Sequence, residues 1–136
     1  MSYPEHLYRI LIREGHLDTF GHVNNATYLQ LAEEARWEML EDSGYNLKVV
    51  QEKQQGPTIL SMEITFKREL YLREEITIVT QLHSYQGKVG ILGQQFRRND
   101  GTVTTDLTMK IGLFDLSFRK LILPTPEWRS ALHLGN

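Results

Sequence analysis

The sequence predicts an α+β fold in which one long helix lies against an antiparallel sheet. Three observations predict it: an alternating segment near the amino terminus, one sustained helical period after it, and a succession of alternating segments joined by short turns. A helix apolar along one face, with one sheet to pack on, gives a layered architecture. The 136 residues are read as a single domain, 1–136. A chain of that size buries ~65–70% of its unfolded surface on folding.

Leu7 to Arg13 alternates, with Tyr8, Ile10 and Ile12 on one side and Arg9 and Arg13 on the other, as in a half-buried strand. From Ala26 to about Asp42 the period becomes helical: Tyr28, Ala32, Ala35 and Met39 share one face, and Gln30, Glu33, Glu34, Glu38 and Glu41 the other. Asn24 suits the N-cap, with Val23 and Tyr28 at the spacing of a hydrophobic staple, and Ser43-Gly44 ends the helix. The polar stretch Asn46 to Gln55 holds at most a short strand around Val49-Val50. Beyond Gly56-Pro57, Leu60, Met62, Ile64 and Phe66 share one strand face, and Ile76, Ile78 and Leu82 mark the next strand. Gln86-Gly87 is a turn into Val89–Arg97, and Asn99-Asp100-Gly101 is a hairpin signal. Its partner strand carries Val103, Thr105, Leu107, Met109, Ile111 and Leu113 on one face, and Leu121-Ile122-Leu123 adds a short last strand.

Composition narrows the function classes. A net charge of −2 gives no general attraction to nucleic acid or to an anionic membrane. With no cysteine, disulfides, thiolate zinc sites and a cysteine nucleophile are excluded. The amino terminus lacks the basic-then-apolar pattern of a secretion signal, and no apolar run approaches the ~20 residues that span a bilayer, so a cytoplasmic protein is expected.

Asp18-Thr19-Phe20-Gly21-His22-Val23-Asn24-Asn25 places an acidic side chain just ahead of the helix start, where unpaired backbone N–H groups and the positive dipole end collect. A carboxylate beside amide donors can split an acyl bond, the acid activating water or attacking directly and the donors holding the oxyanion. Each residue also has a plainer role. Asp18 and Gly21 suit a turn, Asn24 caps the helix, Tyr28 belongs to the core, and His22 either orients Asp18 or packs in the loop. His16, Asp18 and His22 lack the spacing of a metal site, and no metal or separate cofactor is expected.

The motif Asp18-x-x-Gly21-His22-Val23-Asn24-Asn25-x-x-Tyr28, set between a first strand and a long helix, resembles the signature of hotdog-fold thioesterases. The nearest branch is the 4-hydroxybenzoyl-CoA thioesterase-like group. Ile64 to Leu70, Glu74 to Ile78, and Phe114-Asp115 through Lys120 to Pro124 are also similar to that group, although Glu69 and Glu75 depart from its usual pattern. The resemblance implies a hotdog fold, with the antiparallel sheet wrapped around the central helix. It implies a homo-oligomer, either an edge-to-edge dimer or a dimer of dimers (a homotetramer), with the active site between subunits. The implied activity is an acyl-CoA thioesterase, in which CoA is part of the substrate. By position, Asp18 is the catalytic carboxylate and the backbone N–H near Asn25 polarises the carbonyl. His22 is a further catalytic candidate, and Gly21, Asn24 and Tyr28 are substrate-binding candidates. A hotdog-fold enoyl-CoA hydratase or dehydratase and a non-catalytic acyl-thioester-binding module are the competing readings.

Overall fold

The computed structural model describes residues 2–135. Its first strand, β1 (Glu5–Leu11), starts two residues before the expected alternation. A short 3-10 turn (Glu14–His16) and a tight loop then lead into α1 (Asn25–Asp42). α1 buries Tyr28, Leu31, Ala32, Ala35 and Leu40, with Met39 only partly covered. Ala32 and Ala35 are fully buried, and their small side chains let the helix backbone approach the sheet closely.

The polar stretch after α1 is a helix, α2 (Leu47–Lys53), rather than the expected strand at Val49-Val50. The Asn46 side chain caps it by accepting from the Val49 amide, and Gln54 ends it in the left-handed conformation. The chain passes directly into β2 (Gln55–Phe66), then β3 (Glu75–Gln86), β4 (Val89–Arg98), β5 (Val103–Asp115) and β6 (Lys120–Ile122). A last helix, α3 (Pro126–Ala131), was not expected from the sequence. It drives Trp128 into the core, edge-on to Tyr45 at 5.2 Å, with its indole N–H donating to the Tyr85 hydroxyl.

All pairings are antiparallel, in the order β1-β3-β4-β5-β2, and β6 pairs with the end of β5. The expected face of β2 is broken at a bulge, because Ile59 pairs with Ile111 and Ser61 with Lys110. Leu60 is therefore the extra residue and does not share a regular face with Met62 and Ile64. Although β1 and β2 are opposite edges of the sheet, both touch α1. His6 of β1 reaches Asp42 at 2.7 Å, and Phe66 at the end of β2 lies against Tyr28. The sheet therefore curls around the helix.

A buried polar clamp sets the height of α1 on the sheet. Gln94 of β4 is fully buried; its amide donates to the Ala32 carbonyl and the Thr80 hydroxyl, and its oxygen accepts from the Arg36 guanidinium. Burial holds that guanidinium below its usual pKa, with the Glu33 charge opposing. Gln94→Leu keeps the volume but leaves these groups without partners, and should cost about 3 kcal/mol in denaturant unfolding; a change below about half that would show that the clamp is dispensable.

Candidate active site

The segment ahead of α1 is a closed loop. A backbone bridge joins Leu17 and Val23, the Asp18 amide donates to the His22 carbonyl, and the Gly21 amide donates to the Asp18 carbonyl. Gly21 sits at φ +81°, where a side chain would be strained, so the turn needs glycine. Inside this loop, Asp18 Oδ1 accepts from the Phe20 amide at 2.9 Å and the His22 amide at 3.1 Å. The turn role is therefore real, but it occupies one oxygen. Oδ2 accepts no hydrogen bond among the described residues, and Asp18 is half-buried.

Asn24 caps α1 as expected, its Oδ1 accepting from the Ala26 amide at 2.9 Å. Its side chain faces the helix it caps. Asn25, the first helical residue, is exposed, and its amide has no acceptor among the described residues. First-turn amides have no partner within the helix, so this donor is open to a ligand. Gly21 and His22 are exposed beside it. Tyr28, 5% exposed, is a core residue: its ring lies edge-on to Phe66 at 4.9 Å and near Phe96 at 5.8 Å. Burial pushes its phenol above the usual pKa, with the Leu70 backbone amide opposing.

The His22 ring does not turn to Asp18. Its Nε2 lies 3.2 Å from Glu69 Oε1, in the connection between β2 and β3. His16 likewise turns away, accepting the Arg13 amide on Nδ1. Sequence reasoning gave Glu69 no role, because its partner lies in a distant loop. That connection is anchored by Arg98, which reaches Glu74 at 2.6 Å and the Glu69 carbonyl. Arg73 adopts a left-handed backbone there and pairs with Glu14 at 2.7 Å. Lys67 pairs with Asp106. Arg68, by contrast, is exposed and reaches no carboxylate among the described residues. No group of three or more His, Asp or Glu side chains that could hold a metal occurs among the described residues.

Phe20, in the loop itself, is 85% exposed. α1 runs antiparallel to β2: Tyr28 meets Phe66 at one end, and Trp37 shares a hollow with Pro57 and Thr58 at the other. This hollow, about 410 Å³, is also lined by Leu47, Val50, Gly56, Phe114, Leu116 and Arg119. No helix among the described residues is long and apolar enough to cross a membrane.

Residues 12–132 match the thioesterase-like superfamily. The chain is similar to the long-chain acyl-CoA thioesterase FadM of Escherichia coli (strain K12), 34% identical over 132 residues, covering 91% of this chain and 94% of FadM. It is also similar to the crystal structure of YbaW, a probable thioesterase from Escherichia coli, with a TM-score of 0.82, 32% identity, and 94% of this chain and 96% of that one covered. SAV2348 from Staphylococcus aureus, solved in complex with CoA, shares the fold at a TM-score of 0.88 and 16% identity, over 98% of this chain and 85% of its own. The hotdog arrangement implied by the motif is thus the one observed.

The Asn24 cap fixes where α1 begins. Asn24→Ala should lower stability by about 1 kcal/mol and Asn24→Asp by much less, read as denaturant midpoints; equal losses would show that the cap bond is not what holds the helix tip.

Proposed function

Because this chain belongs to the thioesterase-like superfamily, we propose that it hydrolyses acyl-CoA to the free carboxylic acid and CoA, with Asp18 as the catalytic carboxylate. The enzyme is a thioester hydrolase; its CoA substrate and its machinery are the proposal. One observation carries it. Asp18 is held by two loop amides through a single oxygen, leaving the other unengaged beside a helix whose first amide, at Asn25, is open. A carboxylate held this way needs no rearrangement before it acts, which is what lowers a barrier in a prepared site.

As general base, Asp18 takes a proton from water while the water oxygen attacks the thioester carbonyl carbon. The carbon–sulfur bond then breaks, and the CoA thiolate leaves and recovers the proton. As nucleophile, Asp18 attacks the same carbon, expels the thiolate and forms an anhydride that water then opens. In either route the Asn25 amide polarises the carbonyl oxygen, with the α1 dipole behind it. Gly21 presents bare backbone to the substrate, Asn24 fixes the helix start, and buried Tyr28 fixes its tilt. His22 serves the reaction through its backbone amide, which positions Asp18, more than through its ring, which pairs with Glu69. Arg68, exposed and without a carboxylate partner among the described residues, is the cation we assign to a CoA phosphate.

The working form is a homo-oligomer joined along β2. That strand is a sheet edge of 12 residues carrying exposed Ile59, Leu60 and Phe66, an arrangement that favours pairing with a second copy. Antiparallel pairing of β2 with itself brings the partner's loop against the far end of this chain's β2, and covers both sites.

Turnover is best read by thiol release, since the enzyme has no cysteine of its own. Asp18→Asn preserves the acceptor for the Phe20 and His22 amides, so the fold should persist while kcat falls by ~10²–10⁴. His22→Ala should cost less than about tenfold. A folded Asp18→Asn enzyme with wild-type turnover refutes the assignment. Light scattering should report at least twice the mass of one chain, and Leu60→Lys on the β2 edge should reduce both mass and turnover. A fully active monomer would count against the shared site.

A further inference from the structure

The free edge of β2 carries a proline, and its position bears on how two copies meet. The Leu116 amide donates to the Gln54 carbonyl at one end of the β2–β5 ladder, and the Lys67 amide donates to the Thr104 carbonyl at the other. Bonded positions alternate in an antiparallel ladder. Gly56 and Thr58 therefore turn their backbone to β5, while Pro57 and Ile59 turn theirs to the open edge. The bulge at Leu60 shifts the alternation by one residue. Beyond it, Ser61, Glu63 and Thr65 face β5, and Met62, Ile64 and Phe66 offer their amides outward. Pro57 has no amide to offer. A strand added to this edge finds donors from Ile59 to Phe66 and none at Pro57.

That gap limits the register of two copies paired through β2. Antiparallel pairing confined to Ile59–Phe66 sets Pro57 of one copy opposite the residues that follow Phe66 in the other. Those residues adjoin the loop ahead of α1: Glu69 meets the His22 ring at 3.2 Å, and Phe66 lies on Tyr28. The ring of Phe20 in that loop is 85% exposed, so its own chain gives it almost no cover. Beside Pro57 is the hollow of about 410 Å³, walled by Trp37, Leu47, Phe114 and Leu116. No carboxylate lines it, and its one cation, Arg119, lies over the Phe114 ring at 5.3 Å. An aromatic ring entering this space sheds water and strands no charge.

We infer that Phe20 of each copy seats in the hollow of the other, with Pro57 setting the register that brings the two together. This rests on the pairing along β2 described above and adds the contact that closes it. Phe20 stands two residues from Asp18, and its amide is one of those that hold Asp18 Oδ1. Seating the ring therefore steadies the carboxylate from the other copy. The loop's own exposed link, the His22–Glu69 pair, contributes little to that end. The site of one copy is complete only when the second is in place. Because one two-fold axis relates the two contacts, they form and break together.

Since the chain has no cysteine, the contact can be read by an introduced pair. In a Phe20→Cys/Thr58→Cys double variant, mild oxidation should give a covalent species of twice the chain mass on a non-reducing gel, and neither single variant should do so. A disulfide within one chain, or none, overturns the inference. Trp37 supplies a second reading: of the two tryptophans it lines the hollow, whereas Trp128 is 1% exposed. Phe20→Ala should raise the quenching of Trp37 by acrylamide and weaken association about tenfold or more in analytical ultracentrifugation. Phe20→Leu, which keeps most of the apolar bulk, should restore most of both. Unchanged quenching and association in a folded Phe20→Ala protein overturn the inference as well. Neither measurement uses turnover. A cross-link in a protein that hydrolyses no acyl-CoA leaves this contact standing and removes the reaction assignment; turnover by paired copies without the cross-link does the reverse.

Discussion

The tip of α1 is held in place by two interactions with the sheet, both involving its central strand β4, and the proposed site lies where that tip stops. At the amino-terminal turn, the Tyr28 ring is wedged between Phe66 of β2 and Phe96 of β4. One turn further on, Gln94 bonds the Ala32 carbonyl, which fixes how far the helix slides along the sheet. The aromatic contact resists tilting, and the hydrogen bond resists translation. Edge-to-face pairs contribute roughly 1 kcal/mol beyond burial, and a satisfied buried amide contributes most by what it would cost to strand it. Together they place the Asn25 amide without any help from the loop in front of it.

That loop is fixed separately. The Leu17–Val23 bridge closes it, and Asp18 ties its interior through the Phe20 and His22 amides. Its link to the rest of the chain through His22 and Glu69 is an exposed pair, and such pairs contribute little. The loop is tied more firmly at its other end, where Val23 is buried in the core and Leu17 packs against it just ahead of the Asn24 cap. The connection after β2 is better anchored, through Arg98 to Glu74 and through Arg73 to Glu14.

What the sequence disclosed follows the range of the interactions involved. α1 and its Asn24 cap were legible because eighteen residues repeat one pattern and the cap bond spans two positions. The Asn99-Asp100-Gly101 hairpin and the alternation of β5 were legible for the same reason. α2 was not: seven residues are too few to establish a period, and the Asn46 cap looks like any polar loop residue. α3 was hidden behind Pro124 and Pro126, which read as terminators, although Pro126 in fact opens the helix after the Thr125 cap. The bulge at Leu60 cannot be seen in one strand, since it exists only relative to β5. Glu69 was missed because its pairing with His22 bridges loops far apart in the chain, and no local pattern marks it.

In the proposed reaction Asp18 holds two roles that compete on paper. A turn aspartate and a catalytic carboxylate are alternatives only if both oxygens are needed for the turn. Here the loop takes Oδ1 alone. The other oxygen accepts no hydrogen bond among the described residues and is the one the proposed reaction would use. The remaining difficulty is water. In a single chain the loop and the Asn25 amide stand at the surface, where a high dielectric weakens the pull of an amide on a developing oxyanion. The apolar side chains that ring the loop and the free edge, notably Phe20, Leu60 and Phe66, have the opposite property: they are costly to leave in water. Covering them with a second copy would remove that cost and, by the same contact, dry the space between Asp18 and Asn25. Association and the proposed catalysis would then have one physical cause, the exclusion of water from the surface between α1 and β2.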